Sequence, residues 1–136
     1  MPDKITVKDL YKYKSSNEKF TAVSCYDFTT SKIVAEAGVE MILVGDSAAQ
    51  VILGHDNTLP ITMDFMVEIT AAARRAAPNI CLAADMPFLS YQVSLEDALR
   101  NAGRFIVQSG ADIVKVEASE AQVPVVKALS DADIPV

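Results

Sequence analysis

A chain of 136 residues, 51% of them apolar, is long enough to enclose one ordinary core. Its net charge of −6 argues against a nucleic-acid partner, because phosphate binding needs a basic face. No run of about 18 apolar residues is present, so no membrane span is expected, and Met1-Pro2-Asp3-Lys4 lacks the basic-then-apolar order of a secretory signal. A cytoplasmic protein is therefore expected. Cys25 and Cys81 fall inside predicted strands without metal-site spacing and read as reduced core thiols.

In chain order, Thr6 is placed to cap a short helix through Leu10 and Tyr13, with Asp9 as its capping-box partner. Residues 15–17 read as a turn, and the helix is expected to pack over one end of the domain. Residues 20–27 form the first predicted strand, ending in Ser24-Cys25-Tyr26-Asp27. Ile33, Val34 and Ala37 share one face of a helix predicted over 30–38, with Gly38 as its stop. Residues 41–46 open with Met-Ile-Leu-Val before Gly45, the pattern of a strand buried on both faces. A long segment, 48–61, follows and contains Gly54-His55-Asp56-Asn57. Loops of that length are usually functional or mobile.

Thr62 and Asp64 open a helix that reaches about Ala77, where Pro78 ends it. Residues 80–85 form the third strand. Ser94 and Asp97 open a helix to about Ser109, stopped by Gly110. Residues 112–117 form the fourth strand. Ser119 and Gln122 suit a helix start, but Pro124 lies too deep for it. Either that helix starts nearer Val123 or its first turn is distorted. Residues 134–136 read as the beginning of a fifth strand. The alternation gives an α/β fold with a parallel sheet covered by helices, in one domain spanning 1–136.

Three strands end in carboxylates, at the position where α/β folds bind ligands. Asp46 and Ser47 follow the second strand, Asp85 closes the third, and Lys115 and Glu117 close the fourth. Alternation puts Lys115 and Glu117 on one side, with Val114 and Val116 turned toward a helix layer. Singly, each carboxylate reads as a turn or loop residue. Together they suggest one hard-metal site, and all-oxygen donors favour Mg²⁺ over zinc. A lysine nearby and a serine beside a ligand suit an anionic substrate such as a carboxylate. His55 is a candidate general acid or base, although a loop-anchoring role is the commoner use of such a residue. Tyr26 and Asp27 end the first strand and are candidates to line the site. Neither a glycine-rich phosphate loop nor a nucleophile elbow is present.

Val44-Gly45-Asp46-Ser47, Gly54-His55-Asp56-Asn57-Thr58-Leu59-Pro60, Ala84-Asp85-Met86-Pro87-Phe88 and Val114-Lys115-Val116-Glu117 closely resemble, in order and spacing, the ketopantoate hydroxymethyltransferase family. The resemblance covers essentially the whole chain. It implies a (β/α)8 TIM barrel of the phosphoenolpyruvate/pyruvate superfamily, of which about the first four βα units are present. It implies transfer of a hydroxymethyl group from 5,10-methylenetetrahydrofolate to α-ketoisovalerate, giving ketopantoate in pantothenate biosynthesis. The family's metal carboxylates fall on Asp46, Asp85 and Glu117, and its keto-acid contacts on Asp46, Ser47, Asp85 and Lys115. Mg²⁺ would chelate the substrate's carboxylate and keto oxygens and hold the enolate, with Lys115 helping to neutralise charge. A large ring-based homo-oligomer, a decamer, is also implied.

Eight βα units are about twice what this chain supplies. The family's Gly-His-Leu/Ile-Gly-Leu-Thr-Pro-Gln motif would begin just after Val136, and its glutamate base lies further on. The chain is thus expected to be the N-terminal half of such an enzyme, with the metal site but without the base, and inactive alone. Three alternatives stand beside this. One is a carbon–carbon lyase or phosphonate mutase of the same barrel superfamily. Another is a Mg²⁺-binding phospho-receiver domain. The last is a half-barrel that serves only in assembly.

Overall fold

The computed structural model describes residues 4–136. Its elements are α1 (Val7–Ser16), β1 (Ala22–Ser24), α2 (Phe28–Glu36), β2 (Met41–Val44), α3 (Ala48–Val51), α4 (Met63–Ala76), β3 (Cys81–Asp85), α5 (Leu95–Arg104), β4 (Ile113–Lys115) and α6 (Val123–Asp131). The strands form one parallel sheet in the order β1-β2-β3-β4. Parallel crossovers are right-handed in nearly all proteins, so a sheet that never reverses its progression carries its helices on one face. Here α2 packs on α4, and α5 packs on α6. A phospho-receiver sheet runs 2-1-3-4-5 and reverses after its first strand. The strand order therefore sets that alternative aside.

Register decides what each face carries. Val44, Ala84 and Val114 lie level on neighbouring strands and are fully buried toward the helices. One residue on, Asp85 lies level with Lys115 on the opposite face. The ladder stops there. Two residues past β2 and β4, the Asp46 N–H turns to Asp85 Oδ2 and the Glu117 N–H to the Tyr91 hydroxyl, both side-chain acceptors.

Several boundaries differ from expectation for physical reasons. Helix α2 begins at Phe28 rather than at residue 30, because Asp27 is its N-cap and accepts from the Thr30 N–H at 2.8 Å. That bond also holds the Asp27 carboxyl below the usual carboxylate range. Asp27 thus serves the cap rather than lining the site. The helix expected to reach Ser109 changes to a π-helical turn over Phe105–Ser109, which buries Phe105 and ends at left-handed Gly110. Pro124 sits in the first turn of α6, which starts at Val123. The Ser119–Gln122 capping box closes a separate 3₁₀ turn just before it. Residues 134–136 make no ladder, yet the Val114 N–H donates to the Pro135 carbonyl at 2.9 Å, so the chain does run alongside β4.

At the amino ends of the strands, one arginine gathers four segments. Arg74 on α4 donates to the carbonyls of Ala77, Pro78 and Ile80 and, through Nε, to that of Gly110 at 2.9 Å. Its other nitrogen pairs with Asp112, whose carboxylate also accepts the Leu82 N–H and the Lys4 ammonium. Gly110 has φ +73°, and a Cβ there would stand 3.2 Å from Arg74 Cγ. Helix α1 docks at this same end through the Ile5 N–H to the Asn79 carbonyl, as its packing role requires.

Both cysteines are free and buried. Burial pushes the Cys81 thiol up to about 11 and raises that of Cys25. Neither thiol is expected to react with a disulfide reagent at pH 8 until the chain unfolds. Ellman titration with and without denaturant checks this, and rapid native reaction would contradict the placement of both residues.

Candidate active site

The carboxyl ends of β2, β3 and β4 bring Asp46, Ser47, Asp85, Lys115 and Glu117 to one end of the sheet. Asp85 is the centre. Its side chain is only 5% exposed, yet both oxygens are engaged. Oδ1 accepts from Lys115 Nζ at 2.8 Å and Oδ2 from the Asp46 backbone N–H at 3.1 Å. A Cβ at Gly45 would stand 3.0 Å from Ser47 Oγ, so any larger residue would press on that hydroxyl, while 3.8 Å to Asp85 Oδ2 is ordinary contact.

Ser47 is held in turn by Tyr26, whose hydroxyl lies 2.9 Å from Ser47 Oγ. Tyr26 therefore lines the site, unlike its neighbour Asp27. Glu117 lies two residues beyond β4, and its carboxylate is mostly exposed, 3.5 Å from Lys115 Nζ.

Burial is the largest influence on Asp85 and raises its carboxyl above the ordinary range, against the pull of Lys115. Lys115 is also raised. Desolvation is its largest single influence and acts downward, but Asp85, Glu117 and Asp46 together outweigh it. The lysine therefore stands as an ammonium at neutral pH.

The three carboxylates do not converge into a ready-made cage. Among the described residues no group of three or more His, Cys, Asp or Glu side chains stands in a metal-holding arrangement. The reason is electrostatic: three anions at one strand end repel, and the Lys115 ammonium stands between Asp85 and Glu117. Among the described residues the Asp46 carboxylate takes no hydrogen bond or ion pair, which leaves its oxygens available. His55 is exposed, and its main-chain N–H, not its ring, anchors the loop to α3 through the Ala49 carbonyl.

A cavity of ≈ 510 Å³ lies at the opposite end of the sheet and is lined by Lys32, Glu36 and Asn79 among others. It contains none of the five site residues. Four twisted strands do not enclose their own carboxyl ends, so the chemistry sits on an open surface.

A sequence model of ketopantoate hydroxymethyltransferase matches residues 4–136. The chain belongs to that family. A relative from Geobacillus thermodenitrificans (strain NG80-2), named 3-methyl-2-oxobutanoate hydroxymethyltransferase, is 48% identical over 131 residues, covering 96% of this chain and 47% of the relative. The chain thus spans about half the length of the curated relatives it matches.

Solved structures agree on the fold. One is 2,3-dimethylmalate lyase, a PEP mutase/isocitrate lyase superfamily member (TM-score 0.70, 14% identity, 93% of this chain and 49% of that one). Another is phosphonopyruvate hydrolase in complex with oxalate and Mg²⁺ (TM-score 0.65, 16% identity, 83% and 40%). The four βα units thus share the α/β fold of about half of such a chain.

One structural participant has no signal in the sequence. Tyr91, in the loop after β3, places its hydroxyl against the main chain of Glu117. A lone tyrosine in a loop carries no pattern that would single it out.

Proposed function

We propose that this family member supplies the metal and keto-acid side of hydroxymethyl transfer from 5,10-methylenetetrahydrofolate to α-ketoisovalerate, giving ketopantoate for pantothenate biosynthesis. The observation that carries the reading is the buried Asp85, bonded at once to Lys115 and to the Asp46 main chain, at the carboxyl ends of a barrel sheet. Mg²⁺ fits the donors: they are all oxygen, the Asp46 carboxylate is uncommitted, and burial leaves Asp85 short of compensating positive charge. A fold relative holding oxalate and Mg²⁺ supports the same pairing of a hard cation with a small dianion.

Asp46, Asp85 and Glu117 would hold the cation. When bound, it would supply Lewis-acid polarisation of the acid's carboxylate and keto oxygens. Lys115 would set a fixed positive charge against the negative charge that grows on the keto oxygen as the C3 proton leaves. Ser47, oriented by Tyr26, would donate to the acid's carboxylate. The base for C3 is assigned to none of these residues. Lys115 is held protonated, Asp85 is engaged at both oxygens, and the His55 ring lies exposed on a loop.

The test uses α-ketoisovalerate with this chain, folding being monitored by circular dichroism. Calorimetry is expected to show binding that requires Mg²⁺, while NMR in D₂O shows no C3 exchange. Exchange would place a competent base within residues 1–136. Binding of oxaloacetate or phosphonopyruvate in place of α-ketoisovalerate would favour a lyase or mutase instead. A folded chain that binds no keto acid with Mg²⁺ would leave only a role in assembly.

A further inference from the structure

Glu117 presents a problem of position. Strand β4 ends at Lys115, so the ladder no longer fixes the chain where Glu117 leaves the sheet. Its carboxylate is 77% exposed, and its only side-chain contact among the described residues is the long one to Lys115. A side chain so placed samples many orientations unless its backbone is held.

The structure supplies a holder from another loop. Tyr91 is 3% exposed, and its hydroxyl meets both main-chain polar groups of Glu117. It accepts from the Glu117 N–H at 3.1 Å and donates to the Glu117 carbonyl at 3.2 Å. In an extended residue those two groups point the same way, which is why an antiparallel neighbour can bond both. One hydroxyl here does the work of that neighbour. The side chain of an extended residue stands across this bonding direction, so fixing the backbone fixes the direction in which the Cα–Cβ bond leaves and narrows the region the carboxylate can reach.

Tyr91 is itself tied down. The Ser90 N–H closes a turn on the Pro87 carbonyl at 3.0 Å, with Leu89 left-handed at φ 66°. Asn101 Nδ2 on α5 donates to the Ser90 carbonyl at 2.7 Å. The turn begins two residues after Asp85, so one rigid loop links the Asp85 strand end to Glu117.

We infer that Tyr91 is a positioning residue of the metal site, its hydroxyl fixing the Glu117 main chain so that the Glu117 carboxylate is aimed at the cation shared with Asp46 and Asp85. The inference rests on the magnesium reading above. Supports of this kind are worth about 10- to 100-fold in metal affinity.

The test is Mn²⁺ titration of this chain, followed by electron paramagnetic resonance, for the wild type, Tyr91→Phe, Glu117→Gln and the double variant. Tyr91→Phe keeps the ring and removes only the hydroxyl. It is expected to weaken Mn²⁺ binding about tenfold, and the double variant to bind no more weakly than Glu117→Gln alone. Wild-type affinity in Tyr91→Phe beside a loss in Glu117→Gln would overturn the inference and leave the metal site standing. Losses that multiply in the double variant would also overturn it, because Tyr91 would then act independently of Glu117. If the wild type binds no Mn²⁺, or Asp46→Asn, Asp85→Asn and Glu117→Gln all bind like it, the magnesium reading fails first. A measurement on the wild type stands apart from the folding of any variant. The Glu117 amide, two residues past the ladder, is expected to exchange slowly with D₂O, and exchange at the rate of a free loop would count against the clamp.

Discussion

Arg74→Ala is expected to cost about 3 kcal/mol, the lower end of the range for removing one partner of a buried ion pair, because this pair is partly buried. Against the roughly 5–15 kcal/mol that typically separates folded from unfolded chains, that removes a large share of the margin. The side chains of Arg74 and Asp112 are 16% and 15% exposed, so water replaces little of what is lost. The truncation strips donors from the carbonyls of Ala77, Pro78, Ile80 and Gly110 at once, and leaves Asp112 with Lys4 as its remaining cation. Lys4 is 43% exposed and is a weak substitute.

The same geometry grades the companion variants. Arg74→Lys keeps the charge but loses the fork that reaches carbonyls in several directions, so it falls between wild type and alanine. Lys4→Ala is expected to cost under about 1 kcal/mol. Urea unfolding at pH 7 followed by circular dichroism ranks the three. An Arg74→Ala midpoint close to that of Lys4→Ala would show that the arginine is not what joins α4 to the starts of β3 and β4.

How much of this was legible in the sequence depends on the range of the interaction. The four βα units, the caps at Thr62 and Ser94 and the left-handed stop at Gly110 are written in neighbouring residues, and the structure has them. The shared strand-end placement of Asp46, Ser47, Asp85 and Lys115 is legible because short apolar runs mark where strands end. Asp27 was misread as a possible site residue because a strand-end carboxylate and an N-cap look alike until the next helix is located. Arg74 and Tyr91 were invisible for a different reason. Each acts through main-chain groups distant in sequence, 36 residues away for Arg74 with Gly110 and 26 for Tyr91 with Glu117, and a carbonyl or N–H leaves no mark on residue identity. The single metal cage suggested by three strand-end carboxylates needed one further fact, that Lys115 reaches in between two of them.

Asp85→Asn is expected to stabilise the fold while removing ligand binding. Burial raises the Asp85 carboxyl even though Lys115 is bonded to it. That direction already includes the attraction of Lys115, so the upward shift of the lysine is the same interaction seen from its other end and is not added again. A carboxyl raised on folding favours the folded state below its unfolded value, near 3.8, and that contribution is lost as pH rises through the folded value. At neutral pH the chain therefore carries a buried carboxylate at a net cost. Asparagine removes the charge, still accepts the Asp46 N–H through its oxygen, and leaves Lys115, at 37% exposure, to water. A gain of about 1 kcal/mol at pH 7 is expected, in the range found when functional strain is relieved. The wild type should also lose stability relative to Asp85→Asn as pH rises from the unfolded carboxyl value, and the difference should level off above the folded one. Urea midpoints from pH 4 to 7, with Mg²⁺-dependent keto-acid binding measured at pH 7, give both readings. A variant less stable than wild type at pH 7 would mean that the Lys115 pair holds the sheet together. A variant more stable but unable to bind would mark Asp85 as a carboxylate kept for its ligand, since nothing in the packing of β3 requires the charge.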